Sequence, residues 1–567
     1  MMSLAQVRRW DPAAVETAFT QLRTARDQLL NLDFDLTRAR PPDTWLGKTA
    51  DIARVEHERL AEQLRRNVAA IAALRPTLAD TTDAITALHR DLDLIDTDAA
   101  HTGFSVTPTG TITDTTHTAV APDQLDTYRQ QRATGQTAIV SRLESVLHRA
   151  DEIDTTLADL LHRAATGQID DGATTTTLAG ADTVGAAAAQ LHISPPPPVT
   201  IPAVATAWWN GMTPAEHDRV LAEHPDWVGN LDGIPATTRD QANRARLPGE
   251  ITRLDTEIAA AQVALDRVQN VDLPPWVSRE GDVPPPEAQT LYKLQSQRDA
   301  LTAIEQSLNG PDRKLLLLDI DGHVSPRAAV AVGDIDTATH VAVFTPGFTT
   351  TVAQGLPGVT NDIAALRQTA QLQLLKSDHP GESVAAVTWI GYDVPQWDTL
   401  DEHDRSVLGS AAAQHGGADL AHFYDGINTS RTTDPHLTAL GHSYGSTTTG
   451  YALQHTTTPI DDAVVFGSPG LGTSDVTDLH VPAGHTAALR ANLDPVASFG
   501  AFGQKVSTMD GVVDLSTTDH TLPNGVLLNE VTGHSDYLTP GSTSQYNIAA
   551  TINGLTDRRI TIPREWR

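Results

Sequence analysis

The sequence predicts a multidomain chain, an all-α N-terminal region followed by an α/β domain with a mostly parallel sheet that opens on an antiparallel hairpin. Three observations carry that expectation. The 567 residues exceed what one hydrophobic core fills. Apolar residues recur three and four apart through most of residues 1–165, the period of helices with one buried face. From Lys314 onward short apolar runs alternate with helical stretches, the pattern that builds a parallel sheet.

Asp11 before Pro12 marks the first helix, because a carboxylate accepts from free NH groups and proline suits the first turn. Val15, Phe19 and Leu22 share its apolar face, and Pro41-Pro42 is expected to stop it. Trp45-Leu46-Gly47 separates it from a second helix through Val55, Leu60, Leu64, Val68 and Ile71, which Pro76 is expected to kink or break before Leu78, Ile85 and Leu92. Residues 102–120, rich in Thr and Gly, predict a β-hairpin or loop, and Leu125 to Ala165 returns to helical spacing. From Gly167 to Pro202 the chain is Thr, Ala and Gly followed by Pro195 to Pro198, a composition that reads as an interdomain linker.

Thr213, Pro214 and Glu216 form a capping box that starts another helix. Ile251, Leu254, Ile258, Ala261, Leu265 and Val268 alternate three and four apart, while Leu294, Leu301 and Leu308 repeat by seven, the seam of an antiparallel helical arm. Strands are expected at Leu315–Asp319 and Ala328–Val332, close enough for a hairpin, then at Val341–Phe344, Val384–Trp389, Leu437–Leu440, Ala463–Phe466 and Ala487–Leu489. Helices are expected near 361–375, 404–424 and 444–454. The resulting plan is a helical domain over 1–165, a linker over 166–203, a helical connecting segment over 204–310 and the α/β domain over 311–567.

Composition removes several function classes. With 40 Lys and Arg against 71 Asp and Glu, the net charge of −31 repels phosphate backbones and anionic membrane surfaces, so nucleic acid is not an expected partner. The absence of Cys excludes thiolate nucleophiles, Cys zinc sites, iron–sulfur clusters and disulfides. Only five Lys are present, and the Gly47-Lys48-Thr49 triplet has Pro42 where a phosphate-binding loop needs its first Gly. No His-Glu-x-x-His pattern or dinucleotide fingerprint occurs, so no metal or cofactor is expected. No apolar run approaches the ~18 residues of a membrane span, and the opening MMSLAQVRRWDP lacks a secretory hydrophobic core. A soluble chain is expected, cytoplasmic or exported without a Sec-type signal.

The sharpest chemical motif is LTALGHSYGSTTTGYAL, a short apolar strand running through Gly441-His442-Ser443-Tyr444-Gly445 into a helix. A serine hydroxyl is a poor nucleophile, and this G-x-S-x-G context presents Ser443 on a strained turn beside helix N-terminal NH groups. An acid and then a histidine should follow, each near a strand end. Asp494, before Pro495, and His534 in VTGHSDYL satisfy that order, with Asp475 and Asp478 as rival acids. The two oxyanion NH groups are expected from Tyr444 and from Phe348 in FTPGFTT, since Pro346 cannot donate. Trp389, Tyr392 and Trp397 are expected to line an acyl or aromatic pocket, with core packing as the alternative.

VFTPGF, VTWIGYDVPQW, LGHSYGS, VVFGSPGLG, the Asp494-Pro495 pair and GHSDYL, in that order, resemble the actinobacterial DUF1023 α/β-hydrolases over roughly residues 204–550. The resemblance implies an α/β-hydrolase fold and a serine hydrolase acting on esters or related acyl substrates, with Ser443, Asp494 and His534 as its triad. The first 97 residues, a helical hairpin with Trp-x-Gly at the turn, resemble the WXG100 family and imply a helical protein partner in type VII secretion. None of the eight Tyr is followed four residues on by an acid, the signal that route often carries. Two alternatives stand beside the hydrolase reading. LLLLDIDG resembles the first motif of haloacid-dehalogenase-type phosphotransferases, with Asp319 as nucleophile and Asp321 as acid or base. The other is a non-catalytic, secretion-associated interaction protein built on a hydrolase scaffold.

Overall fold

The computed structural model describes residues 2–562 apart from 117–124, 170–176, 188–192, 198–200, 270–284, 324, 401, 403 and 499. The chain divides into two compact units, Met1–Thr200 with Val204–Arg219, and Ile201–Ala203 with Val220–Arg567.

The first unit is helical. After the single turn α1 (Leu4–Val7), α2 (Pro12–Asn31) starts where Asp11 accepts from the Ala13 NH at 3.0 Å. It ends at Leu32, well before Pro41-Pro42, because the Leu32 NH closes a tight turn on the Leu29 carbonyl, and α3 (Asp33–Ala39) follows. Then α4 (Lys48–His101) runs unbroken through Pro76. An interior proline costs a helix about 3 kcal/mol, but Ala69, Ala72, Ala73, Leu74 and Leu78 on either side of it are buried, and that packing holds the helix together. The short hairpin of β1 (Phe104–Val106) and β2 (Ile112–Asp114) and the long α5 (Leu125–Ala165) close a core of Leu88, Leu92, Ile95, Phe104, Leu143, Val146 and Ile153.

The stretch read as a linker contains a packed helix, α6 (Leu178–Ala187). Its Ala181 joins Ala69, Ala73 and Leu160 in a small core, and Arg26 forks onto Asp182 at 2.6 and 2.5 Å. A side chain at Gly185 would meet the Ala69 carbonyl oxygen at 2.2 Å, so α6 seats on α4 backbone to backbone. Small residues made this segment look unable to bury a core, and they are what permits so close an approach. Its remaining parts, 170–176, 188–192 and 198–200, lie outside the described residues.

Next come α7 (Pro202–Asn210) and α8 (Pro214–Glu223), the latter with both capping-box bonds formed: Thr213 NH to Glu216 Oε2 at 2.9 Å and Glu216 NH to Thr213 Oγ1 at 3.2 Å. The connecting segment does not stand apart. Residues 204–219 belong to the helical unit and those from Val220 to the α/β unit. In the latter, α9 (Pro225–Val228) precedes α10 (Ala236–Gln269) and α11 (Pro286–Ser307), which pack on each other with Leu254, Leu301 and Ile304 buried.

Among the described residues the main sheet of the second unit has eight strands: β3 (Arg313–Asp319), β4 (Arg327–Val332), β5 (His340–Thr345), β6 (Val384–Ile390), β7 (His436–His442), β8 (Asp462–Phe466), β9 (Thr486–Leu489) and β10 (Val513–Leu515). Their order is β10-β9-β8-β7-β5-β6-β4-β3, parallel except that β4 is antiparallel to both β3 and β6. Edge β3 would leave backbone groups bare. Asn230 pairs with both the NH and the carbonyl of Leu318 at 2.8 Å, and Asp240 accepts from the Leu315 NH at 2.6 Å, so the segment before the sheet caps its edge. Helices α12 (Val352–Leu375), α13 (Ala411–Thr429), α14 (Tyr444–His455) and α15 (Thr543–Ile552) cover the faces over two apolar cores. Helix α12 starts nine residues before the expected 361, running through Pro357, and α13 starts seven after the expected 404.

Gly185→Val is expected to destabilise the helical unit by about 1–3 kcal/mol, through overpacking against Ala69. Urea unfolding followed by circular dichroism checks it; a free linker at 178–187 would leave the midpoint unchanged.

Candidate active site

The site is organised by the junction of β7 and α14. Ser443 sits there at φ 53° and ψ −132°, a conformation that L side chains rarely adopt. Its flanking glycines are required by close approach. A Cβ at Gly441 would lie 2.6 Å from Ser446 Cα, and one at Gly445 would lie 2.3 Å from the Thr345 carbonyl oxygen and 2.4 Å from that of Pro346. The Ser443 NH donates to the Phe466 carbonyl of neighbouring β8 at 3.1 Å, which fixes the turn to the sheet.

His534 and Asp494 converge on this serine from loops at the same sheet end. His534 Nε2 lies 2.8 Å from Ser443 Oγ, and Nδ1 lies 3.0 Å from Asp494 Oδ1. With Nδ1–H donating to the carboxylate, Nε2 is left to accept the serine proton. Asp494 Oδ1 also accepts from the NH groups of Val496 at 2.9 Å and Ala497 at 3.2 Å, and Oδ2 accepts from the Tyr537 hydroxyl at 2.6 Å. Burial opposes the Asp494 charge, yet the bonds from His534, Tyr537 and Ala497 outweigh it and hold the carboxyl below its usual range. The rival acids serve elsewhere: Asp475 caps the Thr477 NH at 2.9 Å, and Asp478 bonds Thr473.

Two side chains that sequence reasoning passed over complete the arrangement. Tyr537, buried, accepts from the Ala491 NH at 2.9 Å while donating to Asp494. His442 points its Nε2–H at the His534 carbonyl oxygen at 2.7 Å, its ring 4.8 Å from that of His534. Burial, with the neighbouring His534, lowers the His442 pKa to about 4. The spacing of GHSDYL placed Tyr537 three residues after His534, a visible signal; nothing in the sequence distinguishes His442 from an ordinary spacer.

On the other side of Ser443, the loop after β5 presses on the elbow. A Cβ at Gly347 would lie 2.6 Å from Ser443 Cβ and 3.0 Å from the Tyr444 nitrogen, which brings the Phe348 segment against Ser443-Tyr444. The Tyr444 ring packs edge-on to Phe502, its hydroxyl donates to the Gly409 carbonyl at 2.7 Å, and burial pushes its pKa up to about 12. The three aromatics expected to line a pocket separate. Trp389 and Tyr392 are 2% and 1% exposed, stacked on each other, and the Tyr392 hydroxyl holds the Pro346 carbonyl at 2.8 Å, so they are core supports of the loop. Trp397 alone is open, edge-on to Phe348 at 4.7 Å.

Of the four non-glycine residues at positive φ among those described, Ser443, Thr349 and Leu493 surround this site. Asp319 and Asp321 do not join it. They end edge strand β3, four strands from β7, where Asp319 accepts from the Gly322 NH at 2.9 Å and Asp321 pairs with Arg253 and Gln297. Among the described residues no group of three or more His, Asp or Glu is disposed to hold a metal ion, and no helix is long and apolar enough to cross a membrane.

Residues 321–504 match the sequence profile of a family described as alpha/beta hydrolase. Uncharacterized protein Rv2079 of Mycobacterium tuberculosis is 29% identical over 335 residues, 57% of this chain and 48% of that one, so the chain spans about half the length of that relative. Uncharacterized protein Rv0963c of the same organism is 34% identical over 275 residues, 47% of this chain and 96% of that one. Among solved structures, an esterase from Pyrobaculum calidifontis aligns at 12% identity and TM-score 0.29, covering 47% of this chain and 92% of that one. A dienelactone hydrolase from Anabaena variabilis aligns at 11% and 0.27, covering 44% and 99%. The profile match and a relative covered almost end to end agree with the sheet and its elbow: the chain belongs to the alpha/beta hydrolases, with the family's domain in its C-terminal half.

Proposed function

We propose that the second unit is a serine hydrolase cleaving carboxylic esters or related acyl substrates, with Ser443 as nucleophile, His534 as general base and acid, and Asp494 as its orienting carboxylate. The observation that carries this reading is the unbroken relay from Ser443 Oγ through His534 to Asp494, at 2.8 and 3.0 Å.

In this mechanism Ser443 Oγ attacks the carbonyl carbon while its proton passes to His534 Nε2. The carbonyl oxygen gains the charge, which the NH groups of Tyr444 and Phe348 receive at the start of α14 and on the loop after β5. Collapse expels the alkoxide, which takes the proton back from Nε2 and leaves an acyl-serine. Water then repeats the sequence, giving its proton to Nε2 and its oxygen to the acyl carbon, and the serine is regenerated. Asp494 stays ionised throughout, and its donors fit that role. His442 fits as well: a side chain that remains neutral beside His534 adds no like charge when His534 becomes a cation. The relay lies entirely within the second unit, and in this reading the helical unit positions or recruits.

Ser443→Ala and His534→Ala should each lower hydrolysis of short p-nitrophenyl esters by roughly 10⁴–10⁶ with circular dichroism unchanged. Asp494→Asn should lose about 10³–10⁴ and Tyr537→Phe about tenfold, whereas Asp475→Asn should be silent. Equal turnover by wild type and Ser443→Ala would refute the assignment.

Acid stability supplies a second test. His442 is lowered from about 6.5 unfolded to about 4 folded, so the unfolded chain binds its proton first as pH falls. The stability it contributes is complete above pH ~6.5 and is lost on going down toward pH 4, by up to about 3 kcal/mol. Urea midpoints at pH 7 and pH 5 should therefore differ more in wild type than in His442→Gln, which keeps a donor but does not titrate.

A further inference from the structure

Among the described residues, Leu493, Leu408 and Trp397 are 87%, 79% and 72% exposed, three of the four most exposed large apolar side chains of the second unit. All three ring the elbow. Leu493 precedes Asp494; Leu408 adjoins Gly409, whose carbonyl receives the Tyr444 hydroxyl; and Trp397 abuts Phe348. Their loops follow the C-terminal ends of β9 and β6, with Ser443 after β7 between them. Four strand spacings separate β9 from β6, so the two loops leave the sheet roughly 19 Å apart.

Packing does not account for these side chains, since water covers most of each. Leu493 moreover occupies the left-handed region at φ 63°, where Gly or Asn would sit with less strain. An apolar residue held in that conformation, outside the core and one residue from the relay, implies contact with something apolar that the substrate brings. The net charge of −31 selects among apolar surfaces, because it repels anionic ones.

Resting on the serine-hydrolase reading, we propose that Trp397, Leu408 and Leu493 form a docking rim that seats the mouth of the site on an uncharged or zwitterionic lipid surface. The substrates are then water-insoluble esters taken from that surface. The apolar side chains enter the interface while the ester carbonyl reaches Ser443 between them. Leu400, on the same loop as Trp397 and also exposed, extends the rim.

Docking is read apart from chemistry by floating full-length Ser443→Ala protein with phosphatidylcholine vesicles. It should float with them, at least fivefold less with vesicles half phosphatidylglycerol at low salt, and at least fivefold less when Leu408→Ser and Leu493→Ser are added. With the serine intact, hydrolysis per molecule should rise about tenfold as tributyrin passes its solubility limit. The Leu408→Ser, Leu493→Ser protein should lose that rise and keep its rate on soluble p-nitrophenyl acetate within twofold. No flotation, flotation untouched by the two substitutions, preference for anionic vesicles, or a smooth dependence through the solubility limit would each overturn the rim. So would a dimer in solution that these substitutions dissociate without any vesicle binding. If wild type and Ser443→Ala turn over p-nitrophenyl acetate equally, the hydrolase reading fails on its own account, whatever the vesicles show.

Discussion

The strained backbone at Ser443 is the constraint on which the rest of the second unit depends. A serine at φ 53° and ψ −132° costs on the order of 1–3 kcal/mol and persists only where its surroundings over-determine it. Here β8 holds the Ser443 NH, Ser446 Oγ donates to the Ser443 carbonyl at 2.5 Å, and Ser468 binds Ser446 in turn at 2.7 Å. Gly441 and Gly445 let α14 and the loop after β5 close on the turn from two sides. The same contacts that store the strain therefore set the Phe348 loop against Tyr444. Gly347 brings that loop against both Ser443 and the Tyr444 nitrogen.

The loops bearing His534 and Asp494 have no such strand-to-helix junction, and side chains do the positioning instead. Tyr537 ties the His534 segment to both the Asp494 carboxylate and the Ala491 NH. His442, the residue before Ser443, bonds the His534 carbonyl. Strand β7 thus reaches the His534 segment through one hydrogen bond, and that segment reaches the Asp494 loop through the Tyr537 hydroxyl. A partly buried histidine that stays neutral is suited to this contact, since it donates from Nε2 without carrying a charge.

What was legible in the sequence follows from where the physics is local. Strands β3 to β9 are apolar runs bounded by turn residues, and they were recovered with boundaries off by one or two residues. Ser443 lay in a motif whose first glycine answers to Ser446 a few residues on, while its second answers to Thr345 and Pro346 at the distant end of β5. Asp494 and His534 were reached by order along the chain, whereas the placing of Asp494, and not Asp475, against His534 depends on loops that meet only in three dimensions. Elements whose existence depends on distant packing were missed or misread. Strand β10 has three residues, held by β9 on one side and by a single bridge to Thr561 on the other, α6 is built of small residues that signal a linker until α4 is present, and α12 hides its start behind Gly-Leu-Pro-Gly. Trp389 and Tyr392 were read toward a pocket because aromatic composition cannot tell a cavity wall from the core behind a loop. Pro76 failed to break α4 for the same reason: packing from both sides overrode a local preference.

The central claim is that the elbow presents one activated serine. Treating the full chain with a fluorophosphonate and mapping the adduct by peptide mass spectrometry tests it most directly. The account predicts a single phosphonylated residue, Ser443, with labelling slowed at least a hundredfold in His534→Ala. An adduct on Ser446 or Ser468 in place of Ser443, or labelling indifferent to His534, would contradict it.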